Sequence, residues 1–141
     1  GGDPTSDPVL MTIREEINDA TEELRQWISR STSELLKNGK LVGLLGGDHS
    51  TTLGFLDALS THHGSFGILQ IDAHCDLRES YEGFLYSHAS IMWNALKDPN
   101  VSKLVQVGIR DYSEGEVSVI RSSEGRIETF FDSALRRRLY E

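Results

Sequence analysis

The sequence holds 141 residues, one domain's worth, with 38% hydrophobic side chains and a formal net charge of -8, enough apolar content for one core. That negative balance argues against nucleic acid or an anionic membrane as a partner and agrees with a cationic small-molecule substrate. The single cysteine, Cys75, excludes a disulfide framework and a cysteine-based zinc site. No apolar run approaches the ~20 residues of a membrane span and no signal-peptide pattern opens the chain, so the expected location is cytoplasmic.

Residues 1–18, with Asp3-Pro4 and Asp7-Pro8, read as a loop or a truncated start, and residues 19–141 as alternating helices and strands. From 19 to 38, Leu24, Trp27, Ile28, Leu35 and Leu36 recur at helical spacing, and Asn38-Gly39 supplies a stop. The apolar run 41–45 has the composition of a buried parallel strand, residues 46–50 form the turn after it, and a second helix covers 51–59. Residues 61–65 read as a loop, 67–71 as the next strand, and 79–86 as a loop over the site. Residues 87–97 place Ile91, Met92, Ala95 and Leu96 on one helical face behind Ser87 as N-cap. A third strand over 104–108, a helix around Val117 and Ile120, a fourth strand over 127–131 and a last helix over 133–140 complete the pattern. Strands alternating with helices predict an α/β fold, a parallel sheet between helix layers in a three-layer α/β/α arrangement.

The chemistry concentrates in Asp72, His74 and Asp76, which follow the apolar strand at every second position. A straight strand would hold the α-carbons of Asp72 and Asp76 about 13 Å apart at its rise per residue, too far for both to grip one ion. Either the chain curls just past the strand or the cluster holds two ions. Asp72 ends one strand as His49 ends the strand before it, and adjacent parallel strands would bring these ends to the same sheet edge. Alone, His49 reads as a solvated turn residue. Beside the Asp72, His74, Asp76 triplet it reads as a metal ligand. His62 and His63 fall in the polar loop, Arg136, Arg137 and Arg138 on a solvated helix face, and Cys75 faces away from Asp72 and His74 as a buried thiol. The glycine turn 43–47 lacks the spacing of a dinucleotide fingerprint and the lysine of a P-loop, which sets nucleotide binding aside.

Gly46-Gly47-Asp48-His49-Ser50 and Asp72-Ala73-His74-Cys75-Asp76 resemble the first two signature motifs of the ureohydrolases, the arginase and agmatinase family. Both occur in the right order, each after an apolar strand. Residues 76–83 and Tyr86-Ser87-His88-Ala89-Ser90 resemble the agmatinase-like branch. The resemblance implies a binuclear manganese cluster that hydrolyses linear guanidino compounds, most directly agmatine to putrescine and urea. It further implies His49 and Asp76 on one ion, His74 on the other and Asp72 bridging both. The same ligand types would also accept zinc or iron.

In that chemistry a metal-bridging hydroxide attacks the guanidinium carbon, which is too resonance-stabilised for neutral water. His88 matches the family's catalytic histidine, which passes a proton to the departing amine. Arg78 stands near the position where arginases use an asparagine to hold the substrate's carboxylate, so arginine is disfavoured while formiminoglutamate stays open. The resemblance also implies a homo-oligomer at full length. The family's third motif, Ser-x-Asp-x-Asp, has no counterpart here: after Asp76 the aspartates are Asp98, Asp111 and Asp132, with no Asp-x-Asp pair. The expectation is therefore a partial domain, and the alternative to a hydrolase is an inactive remnant that binds at most one metal.

Overall fold

The computed structural model describes residues 6–140. Helix α1 spans Pro8–Lys37, α2 Thr52–His63, β1 Phe66–Ile71, α3 Ile91–Ala95, β2 Val101–Ile109, α4 Glu114–Ser122, β3 Ile127–Phe131 and α5 Asp132–Tyr140. Short 3-10 turns at His49–Thr51 and His88–Ser90 precede α2 and α3. The three strands form one parallel sheet in the order β1-β2-β3, so the expected parallel α/β class holds. None of the described helices is long and apolar enough to cross a membrane.

Helix α1 begins eleven residues before the expected start at residue 19. Asp7 caps it by accepting from the amides of Val9 and Leu10, with Pro8 in the first turn. An aspartate followed by proline is a helix-start signature, so the loop expected over residues 1–18 is helix from Pro8 onward, while residues 1–5 of that expected segment lie outside those described. The buried line of α1 is Ile28, Thr32 and Leu36, spaced by four. Leu24, Trp27 and Leu35, which share the helical period, are exposed. Helix α2 crosses α1 at Gly54, where an added β-carbon would meet the Arg25 carbonyl and lie 3.0 Å from the Ile28 β-carbon. The Arg25 guanidinium grips Asp57 of α2 through Nε at 2.6 Å and Nη2 at 3.0 Å.

Residues 41–45 are not a strand. Leu41 and Leu45 are fully exposed, and the segment pairs with no described strand. Apolar composition cannot make a strand without a hydrogen-bonding neighbour, and among the described residues β1 pairs only with β2. Leu69 and Ile71, on one face of β1, are also exposed, so no described element packs against that face there. Three smaller boundaries also move. Helix α2 runs on through residues 61–63, so His62 and His63 form its last turn rather than a loop. Residues 87–97 split into the 3-10 turn and the short α3. Ser87 occupies the cap position without capping; its hydroxyl lies 3.1 Å from that of Ser90 instead.

The core gathers Leu53 and Leu56 of α2, Cys75 and Leu77 from the segment after β1, Ile91, Met92 and Ala95 of α3, Leu104 and Ile109 of β2, and Ile127 of β3. Two buried residues of the segment after β1 thus anchor the stretch that carries the expected ligands.

Candidate metal centre

Strand β1 ends at Ile71, and the chain curls at once. The Asp72 amide still donates to the Val107 carbonyl at 3.0 Å, and the amides of Arg110 and Asp111 close on the Ala73 carbonyl at 2.9 and 3.1 Å. Gly108 makes this possible. It sits at φ +88° where the β2 register shifts, and a β-carbon there would lie 3.2 Å from the Asp72 carbonyl. Asp76 turns the chain again with φ 55°, a left-handed conformation that aspartate tolerates better than most residues. The two turns resolve the spacing problem by curling the chain, and they put Cys75 and Leu77 inside.

His49 arrives from the other side. Asp48 caps the 3-10 turn by accepting from the Ser50 amide at 2.8 Å, and the Thr51 hydroxyl donates to the Asp48 carbonyl at 2.8 Å. His49 Nδ1 then lies 2.8 Å from Asp76 Oδ2 and 3.6 Å from Asp72 Oδ2. One donor atom each from His49, Asp72 and Asp76 falls within 4.8 Å of the others. His49 gets there without the adjacent strand expected for residues 41–45; the turn and α2 carry it.

The electrostatics follow from this crowding. The hydrogen bond to Asp76 raises the His49 pKa, burial opposes the rise, and the charges of Asp76, Asp72 and Asp48 add to it. Burial pushes the Asp72 carboxyl up, yet hydrogen bonds from the His74 amide, the Gln70 side chain and the Ala73 amide, with the charge of His49, outweigh it and hold the carboxyl below its ordinary value. A nitrogen and two carboxylates in this reach suit a hard or borderline divalent cation.

His74 stands apart from the three. It is exposed, with Nδ1 3.4 Å from Asp72 Oδ1 and Nε2 3.7 Å from Asp111 Oδ2, and its backbone forms an isolated parallel bridge with Asp111. It lines a cavity of about 190 Å³ together with Asp76, Arg78, Tyr81, His88 and Glu116. His88 is exposed at the start of its 3-10 turn, its ring 6.0 Å from that of Tyr81. Arg78 has its guanidinium over Tyr81 at 5.3 Å and its Nε 4.0 Å from Glu116 Oε2.

Several supporting residues escape a reading of the sequence for ligands. Buried Glu116 accepts from the Leu77 amide at 3.1 Å through one oxygen, and from the Ser113 amide and hydroxyl at 2.9 and 2.8 Å through the other. It closes the capping box of α4; the Ser113-x-x-Glu116 spacing was visible, but its reach to residue 77 was not. Asn18 of α1 holds the Gly83 carbonyl and the Leu85 amide, and Asn94 of α3 holds the Leu85 carbonyl. These two amides fix the loop over residues 79–86 that leads to His88. Gln70 touches both Asp72 and Asp76.

A model described as the arginase family matches residues 9–139. Over 100 residues the chain is 38% identical to an N(1)-aminopropylagmatine ureohydrolase of Thermus thermophilus, covering 71% of this chain and 33% of that protein. An arginase of Staphylococcus aureus is 30% identical over 82% of this chain and 41% of its own length. Among solved structures, an arginase from Medicago truncatula superposes with a TM-score of 0.76 at 34% identity, covering 88% of this chain and 40% of that one. The chain spans about a third of the length of the first curated relatives it matches. With a matched family model running almost from end to end and His49 of the first motif brought beside Asp72 and Asp76 of the second, the chain belongs to the arginase family.

Proposed function

We propose that this chain carries a metal-binding part of a site that hydrolyses a linear guanidino compound to urea and an amine, with agmatine as substrate and manganese as metal. The observation that carries the reading is the convergence of His49, Asp72 and Asp76 donors within 4.8 Å, with Asp76 also lining a cavity together with His74, His88 and Arg78. His49, Asp72 and Asp76 would hold one ion, and His74, 3.4 Å from Asp72, would contribute to a second. Divalent cations bound here lower the pKa of water and so supply the nucleophile that a guanidinium carbon requires.

The chain's own groups do the rest. Asp111 and Glu116 line the cavity with negative charge, which favours a cationic guanidinium over a neutral ligand. His88 lines the same cavity, and its imidazole can pass a proton to the departing nitrogen. Arg78 is engaged by Glu116 and Tyr81. The name of the Thermus thermophilus relative supports an amine-ended substrate.

Two measurements test the reading. Titration of the 141-residue chain with Mn2+, followed by electron paramagnetic resonance, is expected to show a bound ion that Asp72→Ala abolishes. Urea release from agmatine and arginine, assayed in the enzyme that carries this segment at its relatives' length, is expected to favour agmatine. Binding unaffected by Asp72→Ala, or a clear preference for arginine, would refute the metal and substrate assignments respectively.

A further inference from the structure

Gln70, Gln106 and Thr129 occupy register partners on β1, β2 and β3: Gln70 faces Gln106, and Gln106 faces Thr129. Gln106 is completely buried and Gln70 is 5% exposed. Long amides are rarely placed so deep without a partner for every polar atom. Here the partners form one line. The Thr129 hydroxyl donates to Gln106 Oε1 at 2.9 Å, Gln106 Nε2 donates to Gln70 Oε1 at 2.7 Å, and Gln70 Nε2 ends the line 3.2 Å from Asp76 Oδ2 and 3.4 Å from Asp72 Oδ2.

The direction of this line is forced. Gln106 Nε2 also lies 2.7 Å from the Cys75 carbonyl. A backbone carbonyl only accepts, so the amide nitrogen, not its oxygen, must face it. Gln70 must then present Oε1 to Gln106, which leaves its NH2 pointing at the two carboxylates and at the His74 carbonyl 3.2 Å away. A flip of either amide would set oxygen against oxygen in a buried site. The donors therefore reach the same Oδ2 atoms that approach His49.

The geometry points to Thr129, Gln106 and Gln70 as positioning residues that orient the Asp72 and Asp76 carboxylates for a divalent cation, through a hydrogen-bonded chain crossing all three strands. The inference rests on the metal reading given above. A neutral amide suits the task. It holds two like-charged carboxylates close together without neutralising either, and so preserves their charge for the metal. Partners of this kind, one bond removed from the metal, commonly change affinity by about 10–100-fold when removed.

The test is Mn2+ affinity of the full chain by paramagnetic resonance, with thermal unfolding in EDTA recorded on each variant. Gln70→Leu is expected to weaken binding by about tenfold or more. Thr129→Val, which keeps the shape of the side chain and removes its hydroxyl, should weaken it less but in the same direction, and Thr129→Ser should restore it. Gln106→Leu combined with Thr129→Val should bind no more weakly than Gln106→Leu alone, since the hydroxyl acts only through the amide. A Gln70→Leu variant too unstable to assay leaves the decision with the Thr129 pair. Wild-type affinity in Thr129→Val, or equal losses in the Val and Ser variants, overturns the proposal while the metal reading stands. Failure of the unaltered chain to bind Mn2+ overturns both.

Discussion

The Leu77 amide donates to Glu116 across 3.1 Å, so the residue after Asp76, the last candidate ligand of the triplet, is fastened to a helix 39 positions further along. Glu116 also receives the Ser113 amide and hydroxyl, and Glu116→Ala would strand all three donors, two of them backbone. The expected cost is about 2–3 kcal/mol of stability, the usual range for hydrogen bonds to a charged acceptor. Urea denaturation of the variant measures it, and a midpoint within error of the parent would show that water replaces the carboxylate.

Gly54→Ala should destabilise despite alanine's better helix propensity. The propensity gain is at most about 1 kcal/mol, while the new β-carbon would press on the Arg25 carbonyl and on Ile28. Backbone cannot rotate away as a side chain can, so α1 must shift and loosen the Arg25–Asp57 pair. A net loss of about 1–2 kcal/mol follows from the usual cost of overpacking. Denaturant unfolding of the single variant decides the sign.

Cys75 should be silent toward thiol reagents in the folded protein. It is fully buried, and burial, with the negative charges of Glu116, Asp76 and Asp72, pushes its thiol up to about 12. The thiolate is the reactive form, so both access and ionisation oppose reaction at pH 8. Titration with a chromogenic disulfide should give no colour in buffer and one equivalent in guanidinium chloride. Rapid native labelling would contradict the packing of residues 72–77.

One ion, not two, should bind tightly to the 141-residue chain. His49, Asp72 and Asp76 converge, whereas His74 shares only Asp72 with them and otherwise faces Asp111. Calorimetric titration with Mn2+ should therefore fit one site. His74→Ala should leave that site within a few-fold of the parent, whereas Asp72→Ala should remove it. Saturating ion should raise the unfolding free energy, by about 2.7 kcal/mol at a hundredfold excess over the dissociation constant, and EDTA should reverse this. Two sites of equal strength would overturn the prediction.

The candidate ligands were legible because each motif is local. Asp72, His74 and Asp76 lie within five residues, and alternation behind an apolar strand singles them out whatever the strand's neighbours, although of the three only Asp72 and Asp76 converge with His49. The strand expected at residues 41–45 failed for the opposite reason: a strand is a relation between segments, and its apolar letters say nothing about whether a partner is present. Asp7-Pro8 was visible but ambiguous, since the same pair opens loops and helices. Gln70 and Gln106 could not be read at all. Each looks like a polar residue due to face solvent, and only the pairing of three strands shows that they face one another.

Asp76 combines a left-handed backbone with a carboxylate aimed at His49, so one codon answers to two selections. In a saturation library at this position, most substitutions would fail twice, and their loss would reveal nothing about metal. Glycine and asparagine accept that backbone. Asparagine alone among them also keeps the side chain's size, so the Asp76→Asn variant should survive a screen for folded protein and fail a screen for metal. The gap between the two scores at that one position measures the carboxylate's charge separately from the turn that presents it.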